Sequence, residues 1–268
     1  MSKNELSNLL KNALNKMEWY WIVLICLSSI TLLLTIMSFF YYPFFKRFFD
    51  IIFSLLTLLL LFPLYLILAI LVRIKLGSPV FFRQVRPGKK GKLFRLYKFR
   101  SMTDEKDGNG NLLPDEERLT KFGKWLRKTS LDEIPEIFNI LKGDMSIIGP
   151  RPQLVKDFVF FDKETMNRQS VKPGLSGLAQ INGRNNIPWE KKFEYDLLYI
   201  NKISLFKDFK IVLKTIGKAF IKKENIDRDG FATDEDYGDY LLRTNKISLD
   251  VYNASVLKAK EMVSSYGK

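Results

Sequence analysis

The chain has 268 residues, with 43 Lys and Arg against 29 Asp and Glu, a formal charge of +14. Histidine is absent and Cys26 is the single cysteine, which excludes histidine acid–base catalysis, an intrachain disulfide and a thiolate metal cluster. The cationic surplus favours an anionic partner (nucleic acid, anionic lipid or a phosphorylated substrate) without choosing among them.

Residues 1–18 read as a short polar helix in which Leu6, Leu9, Leu10 and Leu14 recur near helical spacing. A segment lying on a membrane surface and a frayed terminus both explain that pattern. Two uncharged apolar stretches follow. Trp19–Phe45 exceeds the roughly 20 residues needed to cross a bilayer. Ile51–Val72 is bracketed by Lys46, Arg47 and Asp50 before it and by Arg73 and Lys75 after it. No short apolar core with a small-residue cleavage site opens the chain, so a cleaved signal peptide is not expected. Cys26 reads as a small lipid-facing filler, and Tyr41-Tyr42-Pro43 suits a break at headgroup level. Pro63 lies mid-way along the second stretch and removes one helical hydrogen bond. That fits a kinked spanning helix, or a helix that breaks and leaves by the face it entered.

From Gly77 the composition becomes that of a soluble domain. Val80–Val85 and Leu93–Arg100 flank Pro87-Gly-Lys-Lys-Gly-Lys92, which predicts a β-hairpin with a basic turn. Residues 103–118 are acidic and glycine-containing, as in a mobile loop. Asp107-Gly-Asn-Gly-Asn111 superficially suggests a calcium loop, but Leu112 takes the required glycine position and Arg118 the closing glutamate, so calcium is excluded. Asp227-Arg-Asp-Gly230 is excluded on similar grounds. Helices are expected at Leu119–Lys128, Leu131–Leu141, about Gln153–Met166, Trp189–Asn201 and Leu205–Phe220, with a polar, partly helical tail from Lys222. The fold expected is α+β: a small, mainly helical cytosolic domain with a β-hairpin, at 77–221. An N-terminal helix and transmembrane segment (1–45), a Pro-broken re-entrant membrane helix (46–76) and a C-terminal extension (222–268) surround it.

The chemistry concentrates between Arg127 and Pro152. Ser130-Leu-Asp-Glu133 matches a capping box, in which acids simply favour a helix start. The same geometry also suits phosphate chemistry, because a helix N-terminus attracts phosphoryl groups. Asp132 can attack phosphorus to give an acyl-phosphate, and Glu133 can hold a divalent cation. Candidate phosphate-binding cations are Lys98 and Arg100 on one face of a strand, Arg127, and Arg151 between Pro150 and Pro152. Arg184 closes a glycine-punctuated loop that starts at Lys172.

An ordered set of motifs carries a resemblance: Lys46-Arg-Phe-Phe-Asp50, Phe81-Phe-Arg-Gln84, Tyr97-Lys-Phe-Arg-Ser-Met102, Leu126-Arg-Lys-Thr-Ser-Leu-Asp-Glu133, Leu141-Lys-Gly-Asp-Met-Ser146, Gly149-Pro-Arg-Pro152 and Pro173-Gly-Leu-Ser-Gly-Leu-Ala-Gln180 with Gly183-Arg184. Over about Lys46–Gly230 the chain resembles the bacterial sugar transferases, the monotopic phosphoglycosyl transferases. The resemblance implies transfer of a sugar-1-phosphate from a UDP-sugar to undecaprenyl phosphate with release of UMP, in bacterial surface-glycan synthesis. By the same resemblance Asp132 is the nucleophile and Glu133 its partner, and the pair uses Mg²⁺ (metal ligands Glu133 and Asp132). Lys98, Arg100, Arg127 and Arg151 hold phosphates, Arg184 serves the nucleotide side, and Pro63 marks the re-entrant break. The family's serine before that proline is Phe62 here, and Phe231 stands where histidine is expected. Partners expected are the UDP-sugar, the polyprenyl phosphate and membrane lipids, with a homodimer allowed and no nucleic acid. The place expected is the cytoplasmic (inner) membrane with the domain on its cytosolic face, since that domain is rich in Lys and Arg. The rival reading is a membrane-tethered basic binding or scaffold protein without catalysis.

Overall fold

The computed structural model describes residues 3–183, 187–220 and 235–267, in two compact units, Met1–Lys46 and Arg47–Lys268. In the first, α1 is a single helix over Lys3–Phe40. The separate surface helix expected at 1–18 is therefore continuous with the apolar segment, because no Gly or Pro lies between Lys3 and Phe40 to stop it. Ser28, Thr31 and Thr35 donate their hydroxyls to carbonyls three or four residues back, which satisfies them without water. Met17–Ile36 is apolar and long enough to cross a bilayer. The expected break around Pro43 is a π-helical turn, Tyr41–Phe45.

In the second unit, α2 covers Lys46–Leu76 with Pro63 inside it, and it too is apolar and long enough to cross a bilayer. The backbone stays helical on both sides of Pro63. Arg47 donates to the carbonyls of Ile140 and Leu141. Asp50 Oδ1 accepts from the Ser146 hydroxyl (3.0 Å) and the Ile147 N–H (2.9 Å). Further along, the Tyr65 ring meets Phe138 at 5.7 Å, and Leu68, Val72 and Leu76 form a buried cluster with Phe99 and Leu126. Residues 47 and 65 of a straight helix lie about 27 Å apart, yet both reach the short helix that carries Phe138 and Ile140. Both ends of α2 thus root in the same folded body, while Leu55, Leu56, Leu59, Leu60 and Phe62 between them are exposed.

The hairpin forms as expected, with β1 (Phe81–Pro87) antiparallel to β2 (Leu93–Phe99). The segment after it is folded back on itself: Asp107 Oδ1 accepts the N–H groups of Asn109 and Asn111, and α3 (Asp115–Arg118) follows. α4 spans Lys121–Lys128, capped by the Thr120 hydroxyl. The helix expected at Leu131–Leu141 is instead a 3-10 turn, Leu131–Glu133, followed by α5, Glu136–Lys142. Pro135 between them has no N–H with which to continue the ladder. Sequence reading missed a parallel pair, β3 (Ser146–Ile148) beside β4 (Gly174–Ser176). The helix expected at Gln153–Met166 reduces to α6, Val155–Phe158, and a 3-10 segment, Thr165–Ser170. Asp162 caps the Thr165 N–H at 2.7 Å and so starts a new turn.

α7 (Leu178–Ile181), α8 (Trp189–Asn201) and α9 (Leu205–Phe220) complete the domain. Ile148, Ile181, Tyr199 and Ile211 bury together where β3, α7, α8 and α9 meet. In the extension, α10 (Tyr237–Arg243) and α11 (Leu249–Ser265) pack back on the domain. The Tyr237 ring sits among Phe161, Trp189 and Phe193, and its N–H donates to Asp157.

Candidate active site

The site is assembled by pinning α5 to the hairpin. Asn139, fully buried on α5, accepts from the Tyr97 N–H (3.0 Å) and donates to the Arg95 carbonyl (2.7 Å). One amide thus plugs into the β2 backbone on both its donor and acceptor sides. That contact sets the 131–136 segment over Lys98, the residue after Tyr97. Gly123 sets the next element: a Cβ there would lie 1.8 Å from the Ser101 carbonyl oxygen, so only glycine lets α4 approach. At the end of α4, Arg127 Nε donates to the Ser101 hydroxyl at 2.8 Å.

Glu133 Oε1 accepts from Lys98 Nζ at 2.7 Å and from Arg151 at 2.6 Å. Lys98 also lies 3.4 Å from Glu136, which is buried. Asp132 is buried, and among the described residues no hydrogen bond or ion pair holds its carboxylate. Burial, opposed by Lys98 and reinforced by Glu133, pushes its carboxyl up to about 6. Burial acts the same way on Glu133, but Arg151 and Lys98 outweigh it and hold that carboxyl well below the usual range. Burial, again opposed by Lys98, raises Glu136 to about 7. For Lys98, burial is outweighed by Glu133 and Glu136, which keep the ammonium charged. Two adjacent carboxylates are therefore driven apart: one fully ionised with two cations on one oxygen, the other more basic and without a partner among the described residues.

The loop presenting Arg151 is clamped. Gly149 N–H donates to the Ser176 carbonyl (2.9 Å), and the Pro150 carbonyl accepts from the Gly174 N–H (2.9 Å). Arg168 holds the Arg151 carbonyl at 2.8 Å, and Arg86 reaches that of Pro152 at 3.4 Å. Arg168 is itself sunk against Asp196 at 2.6 Å. Burial and the nearby Arg151 lower the Arg86 guanidinium to about 10. Gln180, close to the Gly177 that abuts this loop, has both amide atoms buried without a partner among the described residues.

The structure brings together Lys98, Arg127, Asp132, Glu133 and Arg151. Arg100 instead pairs with Asp104 at 2.8 Å, and Arg184 lies outside the described residues, as does Phe231. The capping box is not formed: Ser130 adopts a left-handed conformation (φ 56°) and its side chain caps nothing. The acidic pair therefore sits in a 3-10 turn, and its electrostatics come from side-chain cations and not from a long helix's dipole. Reading the sequence missed Glu136, Arg86 and the Arg168–Asp196 pair. Only Glu136 gave a signal, standing one helical turn beyond Glu133.

A buried, ionisable carboxylate, without a partner among the described residues and beside three cations, is equipped to attack phosphorus while those cations neutralise phosphate charge. Residues 41–222 match the family profile described as bacterial sugar transferase. This chain belongs to that family. A sugar transferase of Bacillus subtilis described as uncharacterized, EpsL, is 50% identical over 190 residues, 71% of this chain and 94% of its own length. The UDP-glucose:undecaprenyl-phosphate glucose-1-phosphate transferase of Klebsiella pneumoniae is 46% identical over 189 residues, 67% of this chain but 41% of that protein. The UDP-N-acetylgalactosamine-undecaprenyl-phosphate N-acetylgalactosaminephosphotransferase of Aeromonas hydrophila is 41% identical over 183 residues, 65% and 43% of the two chains. In this sugar transferase the family match takes in α2 to α9 and leaves α10 and α11 outside.

Proposed function

We propose that this sugar transferase moves a sugar-1-phosphate from a UDP-sugar to a membrane polyprenyl phosphate, as the Klebsiella and Aeromonas relatives' names state for those proteins. The observation that carries the reading is the contrast at the acidic pair: Glu133 takes both Lys98 and Arg151 on one oxygen, and Asp132, next to it, pairs with no cation among the described residues. In the first step an Asp132 carboxylate oxygen bonds to the sugar-bearing phosphorus. The phosphoanhydride bond to the second phosphorus breaks, and UMP departs with the bridging oxygen and the electron pair. In the second step a phosphate oxygen of the lipid bonds to the same phosphorus. The Asp132 bond breaks and the carboxylate is regenerated, leaving a lipid diphosphate sugar. Lys98, Arg127 and Arg151 neutralise the diphosphate, and the clamped loop keeps Arg151 from having to reorganise.

Among the described residues no three acidic side chains form a metal cage. Two adjacent carboxylates nonetheless fit Mg²⁺, which takes one or two protein carboxylates and completes its shell with substrate phosphates and water. Asp132 and the free oxygen of Glu133 would hold it, and it would add charge neutralisation at the phosphoryl group.

The placement proposed is the cytoplasmic membrane with the domain on the cytosolic face. The rooting of both ends of α2 in one body supports a helix that enters and leaves by one face, bending at Pro63. Along α9, Phe206, Phe209, Leu213 and Ile216 form an exposed apolar stripe beside Lys207, Lys210, Lys214 and Lys218, as suits a helix lying in the interface.

The test is Asp132→Asn assayed with a radiolabelled UDP-sugar. The expected result is loss of both UMP release and labelled protein; retained turnover refutes the covalent role.

A further inference from the structure

Beside the catalytic face of the hairpin is a cavity of about 370 Å³ lined by Pro79, Val80, Phe81, Phe82, Arg83 and Arg100, within the roughly 300–1,000 Å³ of small-molecule sites. Phe82 pairs directly with Lys98 across the two strands, and cross-strand partners project from the same face about 5 Å apart. Alternation puts Val80 and Arg100 on that face as well; the Arg100 N–H extends the ladder to the Val80 carbonyl at 2.9 Å. The cavity thus opens one cross-strand step from the lysine that grips Glu133. In the chain just before the cavity's Pro79, Ile70 and Ile74 stand exposed in the last two turns of α2.

The lining has two chemistries. Val80 and Phe82 offer hydrocarbon, and Phe82 keeps 48% of its surface exposed although it is a large apolar side chain. Arg83 and Arg100 supply the charge. A nucleotide-sugar can stack its uracil on Phe82 but has no aliphatic chain to lie along Val80 and Phe82 together. An amphiphile with an anionic head and an apolar tail matches both.

Resting on the reaction proposed above, we infer that this cavity receives the acceptor lipid where its phosphate joins its tail. The first isoprene units lie on Val80 and Phe82, and the phosphate meets Arg100. Asp104 now occupies Arg100 at 2.8 Å but is more than half exposed, so the lipid phosphate can take its place as Asp104 turns to solvent. From there a phosphate oxygen reaches the phosphorus held on Asp132; the new P–O bond forms as the bond to the Asp132 oxygen breaks.

The experiment uses the full chain in lipid nanodiscs, comparing wild type, Phe82→Ala and Phe82→Leu. It measures UMP released in a single turnover without acceptor, and then the KM for donor and for polyprenyl phosphate. Phe82→Ala is expected to raise the acceptor KM about tenfold by losing apolar contact, and Phe82→Leu to restore part of it. Donor KM and the acceptor-free UMP burst should keep their wild-type values. An intact burst with an unmoved acceptor KM, or a donor KM that rises equally, overturns the cavity assignment alone. A wild-type protein that releases no UMP from any UDP-sugar overturns the reaction itself, and the assignment with it.

Discussion

Substituting Asp196 by Ala separates what the fold needs from what the site needs. Arg168 and Asp196 are 1% and 3% exposed at their side chains and 2.6 Å apart. Apart from Asp196, the Arg168 guanidinium has the Arg151 carbonyl and the faces of Phe161 and Phe193 at 5.4 and 5.5 Å. Removing the carboxylate leaves a buried charge without its counter-ion, which costs about 3–5 kcal/mol. At about 2–4 °C per kcal/mol for a domain of this size, the apparent melting midpoint in detergent should fall by roughly 10 °C. The double variant Arg168→Met/Asp196→Leu removes both charges, so it should recover most of that midpoint. It should not recover kcat, because the Arg151 carbonyl has lost its donor and the loop can drift from Glu133. Single-turnover UMP release reads the second effect and thermal unfolding the first. An Asp196→Ala midpoint within about 2 °C of wild type refutes the energetics. Wild-type kcat in the double variant refutes the positioning.

In the proposed mechanism Asp132 must be ionised to attack, and burial places its carboxyl at about 6. Protonation therefore removes the nucleophile as pH falls: kcat/KM for the donor should be level above pH ~6 and drop tenfold per unit below it. A profile flat to about pH 4.5 contradicts this. Gly123→Ala forces a methyl into the Ser101 carbonyl; overpacking of this kind costs about 1–3 kcal/mol, and both the midpoint and the activity should fall because α4 carries Arg127. Asp50→Ala strands the Ser146 hydroxyl and the Ile147 N–H, costing about 1–3 kcal/mol. Limited proteolysis should then cut near the N-terminal end of α2 faster than in the wild type.

The sequence made some parts of this legible because their signals were local. The hairpin announced itself by its basic turn, α8 and α9 by period and length, and the acidic pair by its neighbours in the chain. What it hid depends on contacts distant in sequence. Ser130 and Glu133 fit a capping pattern, yet the Asn139 amide, pinned to β2, and Pro135 together shape that segment into a 3-10 turn. Arg168 and Asp196, 28 positions apart, carry no spacing signature, and neither does the β3–β4 pairing across 28 residues. Arg100 shares a strand face with Lys98 as expected, but Asp104, four residues further on, takes its charge. Pro63 gave the place of a possible bend; only the contacts made by Arg47 and Tyr65 indicate where the two arms go.

Every backbone carbonyl from Pro150 to Pro152 is spoken for, by Gly174, Arg168 and Arg86 in turn. A stretch so tethered, holding phosphate as proposed, cannot adapt to the shape of the rest of a ligand; it can recognise only what all its ligands have in common. Relatives named for glucose and for N-acetylgalactosamine differ in the hexose and share the diphosphate. On the proposed reading, substrate range can therefore diverge across such proteins through residues elsewhere, while this tethered stretch stays as it is.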